Sequence, residues 1–180
     1  PSPFSSSSSS NQKPLSHGEQ VAAMSRSVQN KIDANELKAL LKWVTEGHLV
    51  EVEKLLKKNP TLALGTGTVK DLSDRTFQNI TALQYAAWAL DAEMCELIKG
   101  YAAAHNSAIQ MKALAESPQN YSTYGASYDA TPLVTKYQMY FDDYNQSDGG
   151  KRQQYWQKGI GGEQRECPAW LIYAWSEEGS

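Results

Sequence analysis

Cysteine is scarce: the chain holds two, Cys95 and Cys167. Two thiols this far apart in sequence make neither a disulfide framework nor a zinc cluster, and a reducing cytoplasm is the compartment they imply. Basic residues are in no excess, with 17 Lys and Arg against 20 Asp and Glu and a net charge of −3. A nucleic-acid binder needs cations to replace the counterions of its phosphates, so nucleic acid is not an expected partner. No apolar run approaches the roughly 20 residues of a membrane-spanning helix. The first residues lack the charged region and apolar core of a cleavable signal peptide. The sequons at Asn79, Asn120 and Asn145 are therefore read as chance. Histidine is also rare, and His17, His48 and His105 show no paired ligand spacing. No metal and no cofactor are expected.

Residues 1–18, "PSPFSSSSSSNQKPLSHG", contain six consecutive serines and three prolines. With almost nothing to bury, such a segment cannot offset the entropy of ordering it, and a disordered leader or linker is expected there. The remainder, 19–180, is expected to form one helical domain.

From Asp33 the pattern is helical. Asp33 and Glu36 have capping-box spacing, and Leu37, Leu40, Leu41 and Val44 recur at helical intervals. Gly47 interrupts, and a second helix carrying Val52, Leu55 and Leu56 runs to Asn59–Pro60. The design returns at Thr81 and Gln84, a further capping box. It is followed by alanine-rich Leu83–Ala87, a turn near Leu90–Asp91, and a partner helix with Met94, Cys95, Leu97, Ile98 and Tyr101. Leu55–Leu56 align with Leu97–Ile98 at an offset of 42 residues, the mark of a stacked repeat.

"ITALQYAAWALDAEMCELI" (80–98) and "LLKWVTEGHLVEVEKLL" (40–56) resemble the ankyrin repeat. In that pattern a threonine caps the first helix, alanines let neighbouring repeats approach, and paired Leu/Ile positions fill the inter-repeat core. Asn79 stands where the repeat usually has glycine, and Asn tolerates a left-handed backbone better than most residues. The resemblance implies an all-α, ankyrin-like helical-hairpin stack: two recognisable repeats, a degenerate third opening at Thr131-Pro132-Leu133, and a helical C-terminal cap. An ankyrin period is about 33 residues, so "LGTGTVKDLSDRTFQ" (64–78) is an enlarged version of the short finger loop. The helix beginning near Asp91 is expected to run long, towards Pro118. With "YDATPL" and "YWQKGIGGEQRECPAWL", the chain is also similar to the ankyrin-like module of type IV-secreted effectors of intracellular bacterial pathogens. Trp156, Gly159 or Gly161, Gln164, Arg165 and Pro168 match part of its C-terminal pattern, while Trp170 stands in place of a histidine. That similarity implies delivery into the host-cell cytoplasm and a host protein as partner.

Catalytic constellations are not evident. "GTGTVK" (65–70) fails the spacing of a phosphate loop, and "GIGGEQR" (159–165) has no preceding strand for a dinucleotide site. His105 lies ten residues beyond Cys95 on one helix, out of hydrogen-bond reach. A non-enzymatic, protein-binding role is expected instead. Its candidate residues are Asp71, Asp74, Arg75 and Phe77 in the enlarged finger, with Tyr121, Tyr124 and Tyr128 in a polar loop. Tyr and Trp combine an apolar body with a polar tip and are enriched in binding hot spots. The other aromatics of the second half, including the Tyr137–Tyr140–Phe141–Tyr144 stripe, are read as core packing of a cap poor in aliphatic residues. The alternative is a targeting or structural fragment of a larger effector enzyme whose catalytic domain lies outside this chain.

Overall fold

The computed structural model describes residues 32–104 and 124–177, together with Ser16, Glu19, Ala23, Arg26 and Gln29. The described residues are mostly helical. Asp33 caps α1 (Ala34–Thr45) by accepting from the backbone N–H groups of Asn35 and Glu36, at 2.8 and 2.9 Å. Only this half of the expected box forms, because the Glu36 carboxylate turns to Lys58 at 2.6 Å. Leu37, Leu40, Leu41 and Val44 make the buried face of α1. Gly47, at φ +74°, ends it in a left-handed turn. His48 N–H donates to Trp43 O (2.9 Å) and Gly47 N–H to Val44 O (3.2 Å), satisfying carbonyls that α1 would otherwise leave orphaned. α2 (Leu49–Lys58) then runs back, burying Val52 and Leu56.

Pro60–Leu64 forms a 3₁₀ turn that buries Leu62, Ala63 and Leu64. The enlarged finger follows, and here the all-α expectation is corrected. It is an antiparallel β-hairpin of β1 (Gly67–Lys70) and β2 (Thr76–Ile80), with Val69 opposite Phe77 and Lys70 opposite Thr76. An irregularity in the register lies between Gly67 and Val69. Across from it, Asn79 takes the left-handed conformation at φ +51°, as its residue type allows. Val69, Phe77 and Ile80 point inward, so the hairpin is anchored by the same core as the helices.

Thr81 caps α3 (Ala82–Trp88) with both halves of the box present. Gln84 N–H donates to Thr81 Oγ1 (3.1 Å), and Thr81 N–H donates to Gln84 Oε1 (2.9 Å). α4 (Ala92–Ala104) buries Met94, Ile98 and Ala102, while its expected extension towards Pro118 lies outside the described residues. α1 packs on α3 and α2 on α4, so the two hairpins lie side by side. Their buried faces follow the expected register, Val52 with Met94 and Leu56 with Ile98. The turns are displaced by one residue. Leu90, not Ala89, is the counterpart of Gly47, with Asp91 N–H on Ala86 O (2.9 Å) and φ of +63°.

A side chain at that φ costs about 1–2 kcal/mol, and glycine's larger unfolded-state entropy returns about 0.5–1 kcal/mol of it. Leu90 is exposed, so little packing is lost on truncation. Leu90→Gly is therefore expected to stabilise the protein by about 0.5–1 kcal/mol, read as a higher urea midpoint at unchanged slope. A lower midpoint would show that the leucine side chain contributes more than its backbone costs.

The second half begins where Tyr128 N–H donates to Trp88 O at 2.7 Å. α5 (Thr131–Asp143) starts one residue earlier than the threonine-cap reading placed it. Ala130 is the cap position, and Asp129 instead accepts from Thr131 N–H at 2.9 Å. α6 (Gly149–Gln154), a π-helical stretch (Tyr155–Ile160) and α7 (Gly161–Gln164) run on without a break. Gly159, Gly161 and Gly162, which read in the sequence as punctuation between two shorter helices, therefore do not split this region. Gly161 N–H bonds Trp156 O across the wider π turn, and a Cβ at Gly161 would sit 2.9 Å from that oxygen. The break comes at 165–168, before α8 (Ala169–Glu177). α8 covers the hairpin turns: Trp170 Nε1 donates to Ala89 O at 2.7 Å, and its backbone passes over Gly47.

At the N-terminal side, Ser16 and Glu19 exchange capping bonds, with Ser16 N–H on Glu19 Oε2 (2.7 Å) and Glu19 N–H on Ser16 Oγ (3.3 Å). Ser16 is the one described residue of the expected leader. The rest of 1–18 lies outside the described residues. Gln29 is tied to Thr66 through two backbone contacts, Nε2 to O (3.1 Å) and N–H to Oε1 (2.9 Å).

Candidate interaction site

The finger residues singled out by sequence converge, but inward. Asp71 sits at the end of β1, where its carboxylate accepts from Ser73 N–H (3.0 Å), Arg75 N–H (2.9 Å) and Arg75 Nε (2.9 Å). The Asp71 side chain is 2% exposed and that of Arg75 14%. The Arg75 guanidinium lies 4.9 Å from the Trp88 ring and 5.6 Å from the Tyr128 ring, beside an aromatic pair that is itself in edge-on contact at 6.0 Å. Its remaining Nη2 donates to Glu166 O at 2.8 Å, beside the Ser73 hydroxyl on Arg165 O at 2.7 Å. Both acceptors lie just past the end of α7, where helical carbonyls lack intrahelical partners. The finger tip therefore caps a helix contributed by the other half of the chain.

Phe77, 3% exposed, is ringed by Tyr85 (5.1 Å), Trp88 (4.8 Å) and Tyr124 (4.9 Å). Tyr124 is half-buried and its hydroxyl accepts from Thr76 N–H at 3.0 Å. Tyr128, expected in an exposed loop, is buried, with its hydroxyl 3.3 Å from Cys167 Sγ. Asp71, Arg75, Phe77 and Tyr128 thus have their functional atoms engaged within the fold, so the surface exposure expected of them is corrected. Asp74 alone of the finger set is exposed; it is left-handed at φ +63° and paired with Lys70 at 2.6 Å. Tyr121 lies outside the described residues.

Nucleophile chemistry finds little support around the thiols. Burial pushes the Cys167 thiol up, more than the Tyr128 contact lowers it, and burial also raises Cys95. Neither is favoured as a thiolate, the reactive form. His48 stacks edge-on against Trp43 at 5.2 Å, while His105 lies outside the described residues. Among the described residues no group of three His, Cys, Asp or Glu is placed to hold a metal ion, and no helix is long and apolar enough to cross a membrane.

The surface features gather elsewhere, on α5 and the π-helical stretch. Val134 and Phe141 are 62% and 64% exposed, and Met139, Tyr144 and Trp156 are exposed with them. Ring contacts join this set. Tyr137 meets Phe141 (6.5 Å) and Trp156 (6.1 Å), and Tyr140 meets Tyr144 (5.5 Å) and Trp156 (5.5 Å). The stripe read from sequence as cap core is thus core only along Leu133, with Tyr137 and Tyr140 half-buried. Periodicity located the stripe but gave no sign that no element among the described residues covers its outer edge.

Beside it opens a cleft of about 320 Å³ between α5 and the α6–π unit. It is lined by Lys136, Met139, Lys151, Gln154, Tyr155, Lys158 and Gly159. Lys151 forms an ion pair with Asp143, which also accepts from Tyr155 Oη at 3.0 Å. Lys151, then Tyr155, hold the Asp143 carboxyl below its usual range.

No family model matches the chain, and no solved structure matches it. It is similar to an uncharacterized protein of Coxiella burnetii (strain RSA 493 / Nine Mile phase I), at 28% identity over 148 aligned residues covering 69% of this chain. The chain spans 43% of the length of that relative.

Proposed function

We propose that the chain is a protein-interaction module, an ankyrin-like helical stack of a bacterial secreted effector that binds a host protein. The observation carrying the interaction reading is the exposed aromatic face of α5 and the π-helical stretch, formed by Val134, Phe141, Tyr144 and Trp156 around half-buried Tyr137 and Tyr140. Contiguous apolar surface of this kind costs free energy in water unless a partner covers it, and aromatic side chains dominate such contacts. The π turn supports a functional role, since this rarer, locally costly geometry tends to occur at functional sites. Support for the ankyrin-like reading comes from the Thr81–Gln84 capping box, the left-handed turns at Gly47 and Leu90, and the side-by-side hairpins joined through a β-hairpin finger. The host-protein and secretion parts rest on the sequence resemblance.

The site is accordingly placed on α5, not on the finger tip. Phe141→Ser and Val134→Asp are expected to leave the circular dichroism spectrum and the urea midpoint near wild type, since both side chains are largely in water. They should weaken binding of a purified host partner, first captured with the wild-type chain, by roughly tenfold or more, as for anchor residues. Unchanged affinity in both variants would sink this siting, and failure of the wild type to retain any host protein would sink the interaction reading. A second reading, a targeting or structural piece of a larger effector enzyme, is favoured by the relative's greater length, of which the chain spans 43%.

A further inference from the structure

Apart from the aromatic face, the cleft between α5 and the α6–π unit has a chemistry of its own. Three lysines from three consecutive elements of the chain line it: Lys136 on α5, Lys151 on α6 and Lys158 on the π-helical stretch. In a chain of net charge −3 such a gathering runs against the overall balance. One carboxylate, Asp143, neutralises Lys151. Lys136 and Lys158 have no ion pair or hydrogen bond among the described residues. The cleft thus presents two uncompensated ammonium groups. Its other walls are Met139, Gln154, Tyr155 and the backbone of Gly159, where a Cβ would stand in ordinary contact with the Lys136 stem at 3.8 Å.

We propose that this cleft binds a phosphate monoester, with Lys136 and Lys158 as its counter-charges and Met139, Tyr155 and the lysine stems against the esterified group. Charge matching selects this class. A phosphate monoester carries about −1.5 to −2 at neutral pH and satisfies both free ammonium groups, whereas a carboxylate would leave one unmatched. Lysine binds phosphate as a point charge, without the planar geometry that arginine demands. The volume of about 320 Å³ lies at the small end of ligand sites and suits a phosphate on one ring or short chain. Inorganic phosphate would leave the apolar walls uncovered.

Calorimetric titration of the whole chain with phenyl phosphate tests this. Saturable binding is expected, tighter than that of inorganic phosphate or benzoate. Lys136→Gln and Lys158→Gln should each weaken it about tenfold, the size of one charge-assisted contact. Lys57→Gln on α2, which makes the same change in net charge far from the cleft, should not. Lys158 is exposed and Lys136 half-buried, and neither holds a hydrogen bond or ion pair among the described residues, so an unchanged urea midpoint confirms that the variants fold. Absence of saturable phenyl phosphate binding, or equal weakening in Lys57→Gln, overturns the proposal. Given binding, sedimentation with phosphatidylcholine vesicles with and without phosphatidic acid identifies the source. Lysine-dependent sedimentation only with phosphatidic acid assigns the monoester to a lipid, and none assigns it to a soluble ligand.

Discussion

Arg75→Ala is expected to remove about 3–5 kcal/mol of folding stability, the range for stripping one partner from a buried ion pair. The Asp71 carboxylate it leaves behind is 2% exposed and keeps only two backbone donors, Ser73 N–H and Arg75 N–H. Glu166 O loses its donor at the same time, and Trp88 and Tyr128 lose the cation packed against them. Arg75→Lys should recover only part of the loss. An ammonium cannot reach Asp71 and Glu166 O together with the planar fork of a guanidinium. Pairing Arg75→Met with Asp71→Asn is the sharper measurement. Removing the charge along with its partner should cost less than Arg75→Ala alone, because no uncompensated carboxylate stays buried. Urea unfolding followed by circular dichroism reads all four proteins. A loss below about 1 kcal/mol for Arg75→Ala would place the pair with exposed salt bridges, and the clamp described above would be wrong.

Phe77→Ala is the second large effect, at about 3–5 kcal/mol for truncating a buried aromatic. The ring fills the space between the finger and α3, in edge-on or tilted contact with Tyr85, Trp88 and Tyr124. Collapse of the hole is limited by Val69, its cross-strand neighbour, and by the hydrogen bond that fixes Tyr124 to Thr76. Phe77→Leu keeps most of the volume and should cost under about 1.5 kcal/mol if its neighbours repack. Trp88, one of five tryptophans in the chain, borders the site, and its share of the emission should change. A variant that unfolds at the wild-type midpoint but fails to bind a partner would restore Phe77 as an exposed contact.

These two residues mark where sequence reasoning stopped. Local signals were legible: the Thr81–Gln84 box forms in full, Asn79 takes the left-handed backbone its residue type permits, and Gly47 turns the chain between α1 and α2. Each depends on atoms a few positions apart. The turn near Leu90–Asp91 was legible as a turn, but a leucine gives no hint of positive φ, and a uniform offset of 42 residues falls one short there. A polar, glycine-containing finger suggested an exposed, flexible loop. Its burial depends on carbonyls of 165–167 and on Tyr124 and Tyr128, contacts that no periodicity encodes. On α5 the failure ran the other way. A stripe of aromatics at helical spacing marks an apolar face, but whether another element covers it is a tertiary fact. The lysines of the cleft are spread over 136–158 and meet only because the π-helical stretch, with α6 leading into it, packs back against α5.

The finger's attachment also sets a timetable. Arg75 finds its Glu166 acceptor 91 positions further on, and Ser73 finds Arg165 after 92. At synthesis rates of roughly 5–20 residues per second, about 5–18 s separate the appearance of donor and acceptor on the ribosome. Through that interval the hairpin has its own pairing and its packing on the first-half helices, while the Arg75 donor and the Tyr124 side of Phe77 wait for the second half of the chain. Completion of the domain is thus tied to a late event in its production, and a chain halted before Glu166 would carry an open seam for proteases and chaperones to find.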